Sequence, residues 1–377
     1  MCVKWNHSGA KTLTLAQENR FGKRLLIRTA AGPAIGFGHL KRSLVVARHI
    51  QMHACPLFLL DPADIWAKEQ VMLHGFEFAH FDRRRPWPAQ SGIAAVLVDT
   101  RQRSGLHRLI CEAHRHGVPV ASIHDLGLLP LPSDVTIDGS IRPGRAAASG
   151  RRAAEFSGTD YLVLDEAYSE FRYREKRISP RIHRVAINLG GGDSSRYFRG
   201  ILSGLSAAGA ALQVVGFPGY CSWGQEELSR ADWGTIQFRW LHPHEVAAKA
   251  ILAADLVISA GGLSAYEALC LGTPLCALAF DRHQEMTVAA LAHAGAAAVL
   301  HRGRILDPSL VAASFRELDA DRARRQTLSL KGRGIVDGNG AKRVTRILRA
   351  MMRDGRKSVA RRLRKSPESV ASLAGAP

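Results

Sequence analysis

Short apolar runs alternate with helical patterns along most of the chain, and this alternation limits the folds that it can adopt. The apolar runs include RLLI at residues 24–27, PLFLLD at 56–61 and AAVLVDT at 94–100, and amphipathic stretches such as HLKRSLVVARHI (39–50) separate them. Strands that alternate with helices form parallel sheets joined by crossover helices. We therefore expect an α/β protein.

The alternation occurs twice. It pauses at residues 171–183 (FRYREKRISPRIH), a polar, proline-containing stretch typical of a linker, and resumes with RVAINLGGG at residue 184. A length of 377 residues also favours two domains. We expect two doubly wound Rossmann-like domains facing a cleft, at residues 21–175 and 183–350, with a flexible extension at 1–20 and a basic tail at 351–377. Ligands of such domains bind at the carboxyl ends of the strands.

The net charge of +19 raises the possibility of nucleic-acid binding, but its distribution does not support it. Much of the excess lies in KRVTRILRAMMRDGRKSVARRLRK (342–365), and we find neither zinc-finger spacing nor an aromatic RNA-binding signature. We expect no nucleic-acid partner. Because apolar residues from Val344 to Met351, including Ile347 and Leu348, recur at helical spacing, both a solvated basic helix and a helix that contacts anionic lipid remain open.

The cysteines and the hydropathy indicate the compartment. The six cysteines show no C-x-x-C pair, which fits reduced thiols. No segment approaches the roughly 18 apolar residues of a spanning helix. We expect a cytoplasmic protein, with peripheral contact to an anionic membrane through the basic segment as the open alternative.

The stretch IGFGH (35–39) follows the first predicted strand. Gly36 and Gly38 permit a tight turn, which places His39 near the first turn of the next helix. The positive end of the helix dipole favours the neutral imidazole, and this suits a general base. A histidine that only packs or caps the turn is the alternative.

A glycine loop in the second half lies in DLVISAGGLSAYEALCLGTP (255–274). Gly261 and Gly262 follow a strand, and Ser264 lies at the predicted helix start, so backbone N–H groups there can approach an anion such as a diphosphate. Glu267 lies three residues after Ser264. It either returns to the helix start as a capping box or accepts hydrogen bonds from ribose hydroxyls.

A further glycine loop, INLGGGDSSRYF (187–198), contains Gly191 and Gly192. Glycines permit unusual backbone angles and the close approach of a ligand. Ser194 and Ser195 can cap a helix that begins near Arg196. An ordinary strand-to-helix turn is the alternative.

Taken in order, these stretches resemble one family. IGFGHLKRSLVVA, DYLVLDEAYSEFR, VAINLGGGD, DLVISAGGLSAYEALCLGTPLCAL, RHQ and VDGNGAKRV look like the hydrolase of pseudaminic acid biosynthesis and its spore-coat polysaccharide relatives, from about residue 24 to 347. The resemblance implies the GT-B fold of two-domain glycosyltransferases. It also implies removal of UDP from a UDP-2,4-diacetamido-2,4,6-trideoxy-β-L-altropyranose-like sugar by water, without a metal or another cofactor.

The resemblance also implies roles for individual residues. His39 matches the base that activates water or orients the sugar, and Glu267 matches the acid that binds the ribose. The diphosphate loop matches Gly261, Gly262 and Ser264, and the pair near the sugar matches His283 and Gln284. The other cleft loop matches residues 190–193. The backbone that holds uracil matches residues 238–242.

The chain departs from the family pattern on the sugar side. Ala30 and Gly32 stand where the family has Asp and Ser, and His283 replaces an asparagine. In the V-D-x-Y motif, here VDTR, Asp99 is kept but Arg101 stands where a tyrosine is expected. The nucleotide side is intact. We therefore expect a UDP-sugar substrate with a sugar that differs from the family default. A GT-B glycosyltransferase, in which His39 deprotonates an acceptor hydroxyl, and a non-enzymatic nucleotide-sugar-binding protein remain alternatives.

Overall fold

The computed structural model describes residues 22–32, 35–126, 131–141, 154–191, 194–219, 224–242, 244–303 and 305–363. The expected amino-terminal extension, Gly192 and residues 364–377 of the expected tail lie outside the described residues.

The first half of the described chain forms a parallel sheet of seven strands in the order β3-β2-β1-β4-β5-β6-β7. Helices cross between the earlier strands, and a further helix follows the sheet. The elements are β1 (Arg24–Thr29), α1 (Gly38–Ile50), β2 (Cys55–Leu60), α2 (Ile65–Leu73), β3 (Glu77–His80), β4 (Ile93–Asp99), α3 (Leu106–Arg115), β5 (Val120–His124), β6 (Val135–Asp138), β7 (Ala154–Ser157) and α4 (Glu166–Arg172).

The second half forms a parallel sheet of six strands in the order β10-β9-β8-β11-β12-β13. Its elements are β8 (Arg184–Asn188), α5 (Ser195–Ala207), β9 (Leu212–Gly216), α6 (Gln225–Arg230), β10 (Ile236–Trp240), α7 (Ala247–Ala253), β11 (Leu256–Ala260), α8 (Leu263–Leu271), β12 (Leu275–Ala279), α9 (Arg282–His293) and β13 (Ala298–Arg302). Three helices follow: α10 (Pro308–Ala320), α11 (Arg322–Ile335) and α12 (Gly340–Leu363).

Both sheets confirm the expected fold class, two doubly wound Rossmann-like units. The middle of each central strand is a continuous apolar run because helices cover both faces: Leu25, Leu26 and Ile27 of β1 are fully buried. The strand order reverses between β1 and β4 in one sheet and between β8 and β11 in the other. A crevice opens at such a reversal, at the carboxyl ends of the strands, so the two reversals locate the site.

The last helix departs from the expected domain boundaries. Val344, Ile347, Leu348 and Met351 of α12 are at most 2% exposed and pack in the core around β1 and α1. The chain thus returns to the first domain before residue 350, and the expected tail begins inside this helix. The interpretation of these four residues as a lipid-contacting face is wrong, since the first domain covers them.

The structure also bears on membrane insertion. In the part of the chain that it describes, every helix is too short or too polar to cross a bilayer.

Candidate functional site

A cavity of about 520 Å³ lies between the two sheets and is lined by both. Most of the site residues nominated from the sequence line it; residues 238–242 do not, and residues 192–193 lie outside the described residues. Those that line it include Gly36, Gly38, His39, Gly191, Gly261, Gly262, Ser264, Glu267, His283 and Gln284.

His39 lies in the first turn of α1, and its imidazole is oriented by Asp99. Nδ1 of His39 is 2.7 Å from Oδ1 of Asp99, the last residue of β4. Nη2 of Arg42 lies 3.0 Å from the same Nδ1 but donates to the same Oδ1 at 2.7 Å. Two acceptors would repel at 2.7 Å, so we assign the proton to Nδ1, which donates to the carboxylate beside Arg42. Nε2 is then left as the acceptor. The arrangement is that of a general base held by a buried carboxylate.

Arg42, one turn after His39, neutralises the carboxylates behind the imidazole. Its guanidinium donates to Asp99 Oδ1 at 2.7 Å and to Asp125 Oδ1 at 2.5 Å. Burial alone would raise the pKa of Asp125, but the positive charges of Arg42 and His39 outweigh it and hold this pKa below its usual range. Burial alone would lower the pKa of Arg42, but the negative charges of Asp125 and Asp99 outweigh it and raise this pKa.

Sequence reasoning missed this cluster beyond His39. Asp99 was noted only through the family resemblance, and Arg42 and Asp125 were not singled out. The available signal was positional: Asp99 ends β4 and Asp125 directly follows β5, so both stand at the carboxyl edge of the sheet.

Glu267 does not form the capping box that the sequence left open, and that interpretation is wrong. Helix α8 begins at Leu263 with Gly262 as its N-cap and without a side-chain cap. Because the helix starts earlier than expected, Glu267 lies beyond its first turn. Its carboxylate instead accepts a hydrogen bond from Asn188 Nδ2 at 3.2 Å and faces Lys41 Nζ at 3.6 Å.

The two glycines before α8 serve different purposes. A Cβ on Gly261 would lie 2.4 Å from the carbonyl oxygen of Gln284, so this glycine lets α9 pass close by. Around Gly262 there is nothing within 4 Å of such a Cβ. The open space at Gly262 adjoins the amino end of α8, and the first backbone N–H groups of a helix favour an anion.

The cleft loop of the second sheet contacts the first domain. A Cβ on Gly191 would lie 2.7 Å from Phe37, which stacks on Trp66 with ring centroids 3.8 Å apart. Gly191 is therefore required for the approach of two protein segments. Helix α5 begins at Ser195, one residue before the expected start, with Ser194 as its N-cap residue but without a side-chain cap.

Residues 238–242, expected near uracil, lie elsewhere. Residues 236–240 form β10, an edge strand, and none of the described residues from 238 to 242 lines the cavity. The lining on this side comes instead from Phe217, Pro218 and Ala247.

Two departures from the family pattern meet across the cleft. Nη2 of Arg101, which follows β4, is 2.9 Å from Nδ1 and 3.0 Å from Nε2 of His283 in the first turn of α9. Burial, and then the charge of Arg101, lowers the pKa of His283. The ring is therefore neutral at pH 7. The neighbouring Gln284 turns its side-chain oxygen to the backbone N–H of Phe280 at 2.9 Å.

No protein-family profile matches the chain. The spore coat polysaccharide biosynthesis protein SpsG of Bacillus subtilis (strain 168) is 29% identical over 201 residues, which cover 51% of this chain and 57% of that relative. The match thus spans little more than half of the relative's length. It confirms the resemblance to the spore-coat polysaccharide proteins.

Solved structures confirm the GT-B fold. The structure of MurG from Acinetobacter baumannii gives a TM-score of 0.61 at 15% identity, covering 86% of this chain and 98% of that one. The glycotransferase of kitacinnamycin gives 0.58 at 14%, covering 88% and 99%. The UDP-GlcNAc 2-epimerase from Neisseria meningitidis, bound to UDP-GlcNAc, gives 0.53 at 14%, covering 86% and 99%. At these identities the likeness concerns the fold.

Proposed function

We propose that this protein hydrolyses a UDP-linked sugar in the cleft between its two domains, with His39 as the general base. The observation that supports this most directly is the contact between His39 and the buried Asp99, on a cavity that also contains the open glycine at the start of α8. A base and an anion-binding helix end that line one cavity suit cleavage of a bond to a phosphate.

The nucleotide would be held by the second domain. Backbone N–H groups around Gly262 and Ser264 at the start of α8 would bind the diphosphate. Glu267 would accept hydrogen bonds from the ribose hydroxyls. The residue is 3% exposed and its carboxylate is close to Asn188 and Lys41, so it is already held on the cavity wall.

The chemistry follows from the charges that develop. Water attacks the anomeric carbon and gives its proton to Nε2 of His39, while the carbon–oxygen bond to the diphosphate breaks and UDP leaves with the bonding electrons. Asp99 stabilises the resulting imidazolium, and the amino end of α8 stabilises the leaving diphosphate. The free sugar and UDP are the products.

The sugar would differ from the diacetamido-trideoxy-altrose of the family default. Ala30, Gly32, Arg101 and His283 all depart from the family pattern on the sugar side. Of these, Arg101 and His283 line the cavity and contact each other.

A GT-B glycosyltransferase is the second candidate. The solved structures that share this fold include a glycotransferase, and the oriented His39 could deprotonate an acceptor hydroxyl as well as water. The acceptor would then belong to a surface polysaccharide or a lipid-linked precursor.

The deciding experiment measures release of UDP from a panel of UDP-sugars, with and without membrane extract, using His39→Ala as the control. Release in buffer that requires His39 supports the hydrolase. Release that requires extract supports the transferase. Tight UDP binding with no release from any donor in either condition rejects both and leaves a binding protein.

A further inference from the structure

Arg101 differs from the other cationic side chains that line the cleft. Lys41 faces Glu267 at 3.6 Å, and Arg42 lies between two aspartates. In contrast, within the described residues no carboxylate lies within ion-pair distance of the Arg101 guanidinium. Among the described residues Arg101 thus makes no direct ion pair, and its charge acts only at longer range on Asp125, whose pKa it helps to lower.

The position of Arg101 places this charge beside the proposed reaction centre. Asp99, the carboxylate that orients His39, is the last residue of β4, and Arg101 lies two residues after it. The anion-binding start of α8 belongs to the other domain. A ligand group that meets Arg101 on the His39 side is therefore expected to be part of the sugar.

The contact with His283 positions the guanidinium of Arg101 through Nη2 alone. Nη2 of Arg101 is almost equally far from both ring nitrogens, which flank Cε1. A donor at such distances in the plane of the ring would collide with Cε1, so Nη2 lies over the ring face. Hydrogen bonds to imidazole nitrogens lie in the ring plane, so this contact is a weak one from Nη2 to the face of the ring. Within the described residues Nε and Nη1 of Arg101 donate to no other group, so both can donate to a ligand.

We propose that Arg101, held against His283, recognises a carboxylate on the sugar, so that the substrate class is a UDP-linked uronic acid. This inference rests on the proposed function. A planar guanidinium binds a carboxylate through two parallel hydrogen bonds, and such charge-assisted bonds are roughly twice as strong as bonds between neutral groups. A neutral sugar in the same place would leave the cation without a partner.

The test compares nucleotide sugars that differ only in this carboxylate. Calorimetry measures the affinities of the wild-type protein for UDP, for UDP-glucuronate against UDP-glucose, and for UDP-galacturonate against UDP-galactose. We expect at least one uronate to bind about tenfold or more tightly than its neutral counterpart, the range of a hydrogen bond to a charged group.

Variants then assign the preference to Arg101. Arg101→Gln is expected to bind UDP as the wild type does and to lose the preference for the uronate, whereas Arg101→Lys keeps part of it because the charge remains. The matched control is Arg84→Gln, which removes an exposed arginine from the loop after β3, outside the cavity lining, and should keep the full preference.

Three results would overturn the inference. Equal affinities within both pairs would remove the preference itself, and a preference that survives in Arg101→Gln would assign it to another residue. A loss of affinity for UDP itself in Arg101→Gln would place the arginine on the diphosphate. Failure of the proposed hydrolysis is distinguishable, because it would appear as absence of UDP release in the donor panel while the difference in affinity between uronate and neutral sugar remained.

Discussion

His39 and Asp99 are separated by 60 residues in sequence, yet Nδ1 and Oδ1 lie 2.7 Å apart. The order of the first sheet explains the contact: β4 pairs directly with β1, and Thr29 lies in register with Asp99. The turn after β1 then carries His39 over the end of β4. The sheet reversal therefore assembles a base and its orienting carboxylate from two distant segments.

Replacing His39 by alanine should remove most of the turnover and leave the affinity for UDP nearly unchanged. A general base typically contributes about two to four powers of ten in rate, and the proposed UDP contacts belong to the other domain. Steady-state kinetics and calorimetry on the same preparation measure both effects. An unchanged kcat would reject the role of His39.

Asp99→Asn should lower kcat by about tenfold to a hundredfold with little change in KM, because the imidazolium loses its counter-charge. The double variant Asp99→Asn/His39→Ala should be little slower than His39→Ala alone, since both residues act through one base. Additive losses in this cycle would mean that Asp99 acts independently of His39.

Glu267→Gln should weaken UDP binding by about tenfold without lowering the melting temperature. The carboxylate is expected to accept bonds from ribose hydroxyls more strongly than an amide does. The capping box that would have made Glu267 a stability residue is absent from the described helix α8. Normal UDP affinity together with a lower melting temperature would contradict this role.

Local patterns predicted the parts of the site that local chain geometry determines. The apolar runs and glycine loops were sufficient to place His39, Gly262 and Glu267 after strands that meet at one cleft. The ion pair of Arg42 with Asp125 joins residues 83 positions apart, and only the strand order shows that they meet.

The last helix, α12, shows a second limit of prediction from local sequence patterns. Apolar residues such as Ile347 and Leu348 recur at helical spacing, which predicted an amphipathic helix. Periodicity does not specify which surface covers the apolar face, and here the first domain covers it.

The adjacent glycines provide a matched pair of substitutions. Gly261→Ala should lower the free energy of unfolding by about 1–3 kcal/mol, since its Cβ would lie 2.4 Å from the Gln284 carbonyl oxygen and α9 would have to shift. Gly262→Ala should leave stability near the wild-type value, because the added methyl meets open space. Urea denaturation compares the two, and equal losses would show that the close approach at Gly261 does not limit the fold.

The ion pair between Arg42 and Asp125 should make stability depend on acid. The folded-state pKa of Asp125 is lowered, because Arg42 and His39 overcome the opposing effect of burial. Its stabilising contribution is therefore complete above the unfolded-state value of about 3.9 and is lost as the pH falls further, because the unfolded chain binds the proton first. Asp125→Asn should lower the free energy of unfolding by about 1.5–3 kcal/mol at pH 7, the range of a hydrogen bond to a charged group.

That difference between wild type and variant should shrink between about pH 4 and pH 2.5, and urea denaturation at a series of pH values measures it. Asp232→Asn is the matched control, since Asp232 is exposed and, among the described residues, has no arginine within ion-pair distance. Its difference from the wild type should stay near zero throughout. The ion pair is lost when the carboxylate of Asp125 is protonated, whereas packing does not depend on pH. A difference in the free energy of unfolding that stays constant at every pH would therefore show that Asp125→Asn acts through packing.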